Sequence, residues 1–259
     1  MTNTQWKSLS VCIGALFDDL EQCMAIFNAA CENGDVDIVD ILLRLGYIGL
    51  NAIHKAGHVD VVDRLLQEDR SRVDPSADNN FAIRAACEYG NIDVVDRLLQ
   101  EDRSRVDPSA DNNFAIRAAC KYGNIDVVNR LLQYGVDPSV ENNIAICDAS
   151  EYGHIAVVDR LLQDDRVDPT VSNNTAIRHA CYYNHPDVVY LLVRYKKVDP
   201  LFGFFTAILG KHTQIIDILL QNTTRIIDID KIKYYINTLQ INNSQIVTYI
   251  KKLLRDDRL

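Results

Sequence analysis

The apolar residues of this chain recur at helical spacing in short blocks, each followed by a glycine corner. In the block after Asn113, small and medium apolar side chains stand one turn apart, at Ala115, Ile116, Ala119 and Cys120. Positions three and four residues apart share one face of a helix, so the pattern predicts a short helix with one buried face. Gly123 follows, and glycine commonly ends a helix in the left-handed conformation.

A second helical block comes directly after this glycine and carries larger apolar side chains. Val127-Val128 and Leu131-Leu132 lie one turn apart, which predicts a second helix with a branched apolar face. Asp126 near its start suits the positive end of the helix dipole. The block from Asp107 to Val136 is therefore predicted to be a turn, a short helix, a tight corner and a second helix running back.

These blocks are copies of one another. The stretch from Asp60 to Cys87 returns letter for letter from Asp93 to Cys120, 33 residues later. Looser copies are marked by Asp-Pro pairs at steps of 33, 30, 31 and 31 residues, beginning at Asp74, Asp107, Asp137, Asp168 and Asp199. A period of about 20–50 residues indicates a stacked repeat array. Because helices of about nine residues are unstable alone in water, each copy must bury its apolar faces against its neighbours.

The copies resemble a known repeat family. Residues 175–180 (Thr-Ala-Ile-Arg-His-Ala) resemble the family's Thr-Pro-Leu-His-x-Ala block, residues 151–154 its Gly-His corner, and residues 157–162 its Val-Val-x-x-Leu-Leu. The family is the ankyrin repeat, and the resemblance covers roughly residues 22–222. The Asn-Asn-x-Ala-Ile-Arg variant is similar to arrays in large DNA viruses of protists. Alanine replaces the family's proline, and we expect helix capping to shift onto Asn80, Asn113 and Asn143.

The resemblance implies an all-α solenoid of stacked helix-turn-helix repeats, joined by turns or hairpin-like loops. We predict an N-terminal capping segment at residues 1–21, about seven repeats at 22–226 and a C-terminal helical cap at 227–259. The second and seventh repeats are short. In the second, the first helix around Asn51–Ala56 lacks about one turn. In the seventh, Ala207 to His212 spans 5 positions, where Ala176 to His185 spans 9.

Charged residues recur in step with the repeats. On the second helices, a row of arginines stands beside a row of mostly acidic residues, and neighbouring repeats are placed to pair them. The arginines are Arg64, Arg97, Arg130 and Arg160, and their neighbours are Asp63, Asp96, Asn129 and Asp159. The charged runs Glu68–Arg72 and Glu101–Arg105 are predicted to be solvated loops.

The acidic balance of the chain limits the classes of partner. The formal charge is −9 and the pI about 5.1. A surface for nucleic acid or for an anionic membrane needs clustered basic residues, so we predict neither partner. No apolar run reaches the ~18 residues of a membrane span. Residues Leu9–Phe17 are apolar, but Asp18-Asp19 follow without a cleavage site, so we predict no signal peptide.

Four of the seven cysteines hold the same position in their first helices: Cys31, Cys87, Cys120 and Cys181. Stacked helices lie about 8–10 Å apart, whereas a disulfide needs Cα atoms within about 7 Å. The same distance prevents two such thiols from sharing a zinc ion. We therefore predict small, buried, unpaired cysteines, which indicate a reducing cytoplasmic compartment, including that of a host cell.

Histidine positions predict hydrogen bonding in place of catalysis. His58, His154, His185 and His212 follow the corner, where other repeats have Asn91 and Asn124. Asparagine has no acid–base chemistry at neutral pH, so the shared role is predicted to be a corner hydrogen bond. His54 and His58 are four apart, but Gly57 interrupts their helix and no third ligand is present. Because the chain also carries no catalytic motif, we expect no enzyme activity, no cofactor and no metal.

Tyrosines mark the candidate binding positions. Tyr89, Tyr122, Tyr152 and Tyr183 occupy one place before the corner, preceded by Glu88, Lys121, Glu151 and Tyr182. The resemblance implies that turn tips and first-helix faces line a concave groove for partners, which adds the tip residues Asp78, Asp111 and Glu141. Tyrosine is a favoured binding side chain. The alternative is that duplication copied a tyrosine that only packs against its neighbours.

These features predict a monomeric scaffold that binds a protein partner without catalysis. The acidic tips favour a partner with a basic surface. An alternative function is a substrate-recruiting adaptor in a ubiquitin-ligase assembly, since some viral ankyrin proteins carry a C-terminal F-box-like segment. Residues 227–259 lack the Leu-Pro start of such a segment.

Overall fold

The computed structural model describes residues 20–46, 53, 56–69, 71–195 and 198–222. The chain divides into two compact parts, a first part at Met1–Ala118 and a second part at Ala119–Leu259. Both predicted caps, apart from the helix start at Leu20, lie outside the described residues. The described residues also leave out the segment that would hold an F-box-like element. They leave out most of the shortened first helix of the second repeat as well.

The described residues form thirteen helices and no strand. Those of the first part are α1 (Leu20–Asn33), α2 (Val36–Arg44), α3 (Val59–Leu66), α4 (Ala77–Tyr89) and α5 (Ile92–Leu98). Helix α6 (Ala110–Lys121) crosses the boundary between the parts. Those of the second part are α7 (Ile125–Tyr134), α8 (Val140–Glu151), α9 (Ile155–Leu162), α10 (Val171–Tyr182), α11 (Pro186–Arg194), α12 (Leu201–Gly210) and α13 (Thr213–Asn222).

Successive helix pairs stack in two layers. In the second part, the first helices α8, α10 and α12 contact one another in order, and so do the second helices α7, α9, α11 and α13. Each first helix also contacts the second helix of its own repeat. In the first part, α2, α3 and α5 stack in the same way. This packing confirms the predicted all-α solenoid of helix-turn-helix repeats.

The predicted apolar faces form the core. Ala115, Ile116, Ala119 and Cys120 are fully buried, and the Val-Val and Leu-Leu pairs of the second helices are buried as well, except for the half-buried Leu162. A further buried row, which the sequence analysis did not identify, is the valine before each Asp-Pro: Val73, Val106, Val136, Val167 and Val198. Small side chains on the first helices let neighbouring backbones approach closely, and the branched side chains then fill the space between layers.

The aspartate of the Asp-Pro pair closes the turn before the first helix with hydrogen bonds. The carboxylate of Asp137 accepts hydrogen bonds from the backbone N–H (2.9 Å) and hydroxyl (2.7 Å) of Ser139. Asp168 and Thr170 repeat this arrangement, at 2.9 and 2.7 Å. Because proline fixes φ and the aspartate binds the donors two residues on, Asp-Pro-Ser/Thr closes the turn as predicted.

Three residues in the left-handed conformation come next. They are Asp78-Asn79-Asn80, Asp111-Asn112-Asn113, Glu141-Asn142-Asn143 and Ser172-Asn173-Asn174, all with φ between 51° and 60°. Asparagine and aspartate tolerate this conformation better than other residues with a side chain. The repeated Asn-Asn pair therefore specifies a left-handed turn, after which the right-handed helix begins.

The last asparagine of this turn binds the following repeat. Asn80 Oδ1 accepts the backbone N–H of Asp107 at 2.7 Å, and Asn143 Oδ1 accepts that of Asp168 at 2.8 Å. Asn174 and Asp199 repeat the contact at 3.4 Å. The prediction that Asn80 and Asn143 cap their own helices is therefore wrong. The N–H before proline lies in a partly buried turn without a helical acceptor, and the buried carboxamide supplies one.

The corner between the two helices also joins neighbouring repeats. His154 Nε2 donates to Lys121 O and His185 Nε2 donates to Glu151 O, both at 2.8 Å. These bonds confirm the predicted corner role. A Cβ on Gly153, whose φ is +76°, would lie 2.4 Å from the His185 ring, so both the backbone angle and the space favour glycine.

The seventh repeat corrects a register predicted from sequence. Helix α12 has 10 residues and buries Gly203, Phe204, Ala207 and Ile208. Ala207 therefore takes the place of Ala180, five residues before the corner histidine, and not that of Ala176. Helix α12 begins directly after Asp199-Pro200. The residues missing from this repeat are those of the left-handed turn, so the first helix itself is not shortened.

The arginine row connects second helices as predicted. Arg64 Nε donates to Asp40 at 2.7 Å, Arg97 to Asp63, and Arg160 Nε to Asn129 at 3.0 Å. The prediction that the charged run Glu68–Arg72 is a solvated loop is wrong at both of its ends. The side chains of Glu68 and Arg72 form hydrogen bonds within the protein. Glu68 accepts from Arg64 at 2.7 Å and from Arg72, while Arg72 Nη2 donates to Leu43 O at 2.7 Å. The two guanidinium groups hold the Glu68 carboxylate against the preceding repeat.

We predict that Asn143→Gly lowers the free energy of unfolding by about 1–2 kcal/mol, because it removes the acceptor of the Asp168 N–H. Asn142→Gly is the matched control, since Asn142 has the same left-handed backbone (φ 55°) but an exposed side chain. Glycine relieves the backbone at both positions, so this control should lose nothing. Urea unfolding measures the difference, and equal stability of the two variants would contradict the role of Asn143.

Candidate functional site

Within each repeat, the eleven candidate residues stand at the two opposite ends of the first helix. The tips Asp78, Asp111 and Glu141 open the left-handed turns, whereas the tyrosines stand at the opposite end of the first helices. From Asn143 to Tyr152, a rise of 1.5 Å per residue gives a separation of about 13 Å. The structure therefore does not bring the tips and the tyrosines together within a repeat.

The predicted tyrosines are exposed. Tyr122, Tyr152 and Tyr183 are 49%, 48% and 49% exposed, and Tyr182 is 63% exposed. Tyr89, in the first part, reaches 75%. Side chains with this much exposure contribute little to the core, although their apolar rings favour burial. The rings of the second part stand on successive repeats, and with Lys121, Glu151 and His179 they are called the aromatic cluster below.

The ends of the first helices fix where these tyrosines stand. The backbone N–H of Tyr152 donates to Asp148 O at 3.1 Å, and that of Tyr183 donates to His179 O at 3.0 Å. Both tyrosines cap their helices, and the next residue, Gly153 or Asn184, turns the chain with a positive φ. Each ring is therefore held at a rigid helix end and not on a loop.

Ring contacts order part of the aromatic cluster. Tyr182 and Tyr183 meet edge to face with centroids 4.9 Å apart, and His179 meets Tyr183 edge to face at 6.4 Å. The ring of Tyr152 lies nearly parallel to that of His154, at 6.4 Å. Edge-to-face pairs at these separations are favourable arrangements of aromatic rings. The exposed rings thus have preferred orientations before any partner arrives.

Two charged groups lie among these rings. Lys121 Nζ is 5.5 Å from the ring centroids of both Tyr122 and Tyr152, within the range of a cation–π contact. Glu151 Oε2 is 3.1 Å from His179 Nδ1. The negative charge of Glu151, together with a hydrogen bond to it, raises the pKa of Tyr183, because both favour the neutral phenol.

A comparison with protein-family models found a match to the model described as ankyrin repeats (3 copies), at residues 50–142 and 116–202. The matches span more than half of the chain. The chain belongs to the ankyrin-repeat family. A comparison with curated proteins gave no match.

Two contacts of this ankyrin array were missed from sequence. His179 was not predicted to lie against Glu151, although it stands one helical turn before Tyr183, where other repeats have Ala85, Ala118 and Asp148. Arg84 was not predicted to face the tips, yet its guanidinium lies 4.4 Å from the Phe114 ring and 3.1 Å from Asp111. The charge of the Asp111 tip is thus partly neutralised within the first part.

The remaining candidate chemistry has structural explanations. Within the described residues, no group of three or more His, Cys, Asp or Glu side chains is placed to hold a metal ion. Cys23, Cys31, Cys87, Cys120, Cys147 and Cys181 are buried free thiols. Burial raises the pKa of Cys181 to about 12, so this thiol stays protonated and unreactive near neutral pH. None of the described helices has both the length and the apolar character of a membrane span.

We predict that Glu151→Gln lowers the pKa of Tyr183 towards its ordinary value, because it removes the charge that opposes phenolate formation. The measurement is a pH titration of ¹³Cζ-labelled tyrosine signals by NMR, with Tyr183→Phe to assign the signal. Glu141→Gln removes an equal charge at the far end of α8 and serves as the control. An unchanged Tyr183 pKa in Glu151→Gln would rule out the described geometry.

Proposed function

We propose that this ankyrin array is a non-catalytic, monomeric scaffold that binds a partner protein through the aromatic cluster. The observation that supports this proposal is that Tyr122, Tyr152 and Tyr183, on successive repeats, are each about half exposed. A tyrosine that served only packing would be buried against its neighbours. Ankyrin-family membership supports a protein partner.

Tyrosine suits this role for physical reasons. It presents a large rigid surface with only two side-chain torsions to restrict, and its hydroxyl remains available to a polar partner group. Interfaces concentrate their binding energy in such aromatic side chains. Tyr182 and Tyr183 already contact each other, so their orientation costs little further entropy when a partner binds.

The charge of the chain supports a partner with a basic surface. The formal charge is −9, and the tips Asp78 and Glu141 are exposed. Asp111 contributes less because Arg84 pairs with it. Opposite charges steer association and are screened by salt, so binding should slow as ionic strength rises.

The cysteines support a cytoplasmic location for this scaffold. Six described cysteines are buried and unpaired, as in proteins of reducing compartments. The similarity of Asn-Asn-x-Ala-Ile-Arg to arrays of large DNA viruses of protists supports the cytoplasm of a host cell. The partner is then a host protein.

We predict that the double variant Tyr122→Ala, Tyr152→Ala weakens partner binding at least tenfold, since two exposed rings of about 1–2 kcal/mol each are removed. The partner is captured on the immobilised chain, identified by mass spectrometry and purified, and its Kd is measured by calorimetry. The melting temperature should hardly change, because neither ring is buried.

Tyr190→Ala is the matched control for this experiment. Tyr190 is 46% exposed but stands on the second helix α11, where Arg194 donates to its hydroxyl at 2.8 Å. It should leave the Kd unchanged. A loss of stability in the double variant that equals its loss of binding would mean that the tyrosines are structural.

A further inference from the structure

Three repeats lack the tyrosine that precedes the corner, since this position is Asn33 in the first repeat, Ala56 in the second and Gly210 in the seventh. The position held by Tyr89, Tyr122, Tyr152 and Tyr183 is Ala56 in the second repeat. The structure supports this alignment, because Gly57 faces Asn91 of the next repeat just as Gly34 faces His58. Ala56 therefore stands where four other repeats place a ring.

A cavity of about 350 Å³ in the first part lies at this position, hereafter the Ala56 pocket. Alanines form its floor: Ala56, Ala82 and Ala85 are all buried. Phe81, 40% exposed, and Tyr89, 75% exposed, add aromatic surface. The cavity is at the lower end of the usual range for ligand pockets, so it has room for one long side chain.

The lining of the pocket carries negative charge. Glu32 and Glu88 are among its lining residues, and each belongs to the last turns of a first helix, α1 or α4. The described lining contains no basic side chain. Glu32 and Glu88 already have interactions within the protein, but a carboxylate accepts several hydrogen bonds, so each can still accept another. Exposed aromatic faces beside the carboxylates also attract a cation.

We propose that the Ala56 pocket receives a lysine or arginine side chain of the partner protein. Its methylene stem packs on the alanines, and its cationic end meets Glu32, Glu88 and the ring of Tyr89. This inference rests on the proposed function, because it assumes a protein partner. It assigns the partner a basic anchor residue and places that contact in the first part.

The pocket is tested on the full-length ¹⁵N-labelled chain by NMR titration with small probes. The probes are the Nα-acetyl N-methylamides of lysine, arginine and norleucine, and norleucine matches lysine except for the ammonium group. We expect the two cations to shift the amide signals of Ala82, Ala85 and Glu88, with Kd on the order of 1 mM for ligands of this size. Norleucine should bind at least tenfold more weakly.

Variants locate the binding. Ala56→Tyr supplies the missing ring and should abolish the shifts, whereas Ala156→Tyr, at an exposed alanine of α9, should preserve them. The double variant Glu32→Gln, Glu88→Gln should weaken the cations at least fivefold without changing norleucine. It keeps the test decisive if Ala56→Tyr disturbs folding.

Three results would overturn the proposal. Equal binding of norleucine would show a pocket that does not select a cation. Absence of binding by either cation would show that the pocket is not a site. Lys55 precedes Ala56 in the sequence, so binding that occurs only in Lys55→Ala would show that the chain's own lysine is the occupant. These probes do not involve Tyr122 or Tyr152, so their failure is distinguishable from failure of the proposed partner interface.

Discussion

Burial of each repeat against the next is the interaction on which this structure depends. A first helix such as α8 presents small side chains, Ala145 and Ala149, that let its neighbour approach, and the second helix supplies Val157, Val158 and Leu161. No pair of such short helices buries these faces alone. Hydrogen bonds also join neighbouring repeats: Asn143 Oδ1 accepts the backbone N–H of Asp168, and His185 Nε2 donates to Glu151 O. Apolar burial provides the free energy, and these partly buried hydrogen bonds set the register between repeats.

The sequence predicted the parts of the fold that follow from periodicity. Helical spacing, the glycine corner and the Asp-Pro turn each have a local cause, so they were identified without coordinates. The left-handed Asn-Asn turn was not, because asparagine before a helix is equally typical of a cap, and only the structure shows that its carboxamide reaches the next repeat. The register of α12 was misread because Thr206-Ala207-Ile208 resembles Thr175-Ala176-Ile177, while burial of Gly203 and Phe204 decides otherwise.

The candidate site was predictable as a position but not as a set of contacts. The spacing identified the tyrosines, yet the contact of His179 with Glu151 depends on side chains from different repeats. Both features that we propose to recognise a partner lie at one position of the repeat, the residue before the corner. A tyrosine there projects a ring from the surface, and alanine there leaves the Ala56 pocket. Under these two proposals, variation at one place in the repeat would give the scaffold its specificity without altering the buried positions that hold the array together.

The dependence of each repeat on its neighbours is tested most directly with fragments. Circular dichroism should show that a peptide of residues 137–166, one repeat, is unfolded, whereas a fragment of residues 137–222, three repeats, is helical and melts cooperatively. A single repeat that folds cooperatively by itself would contradict the account.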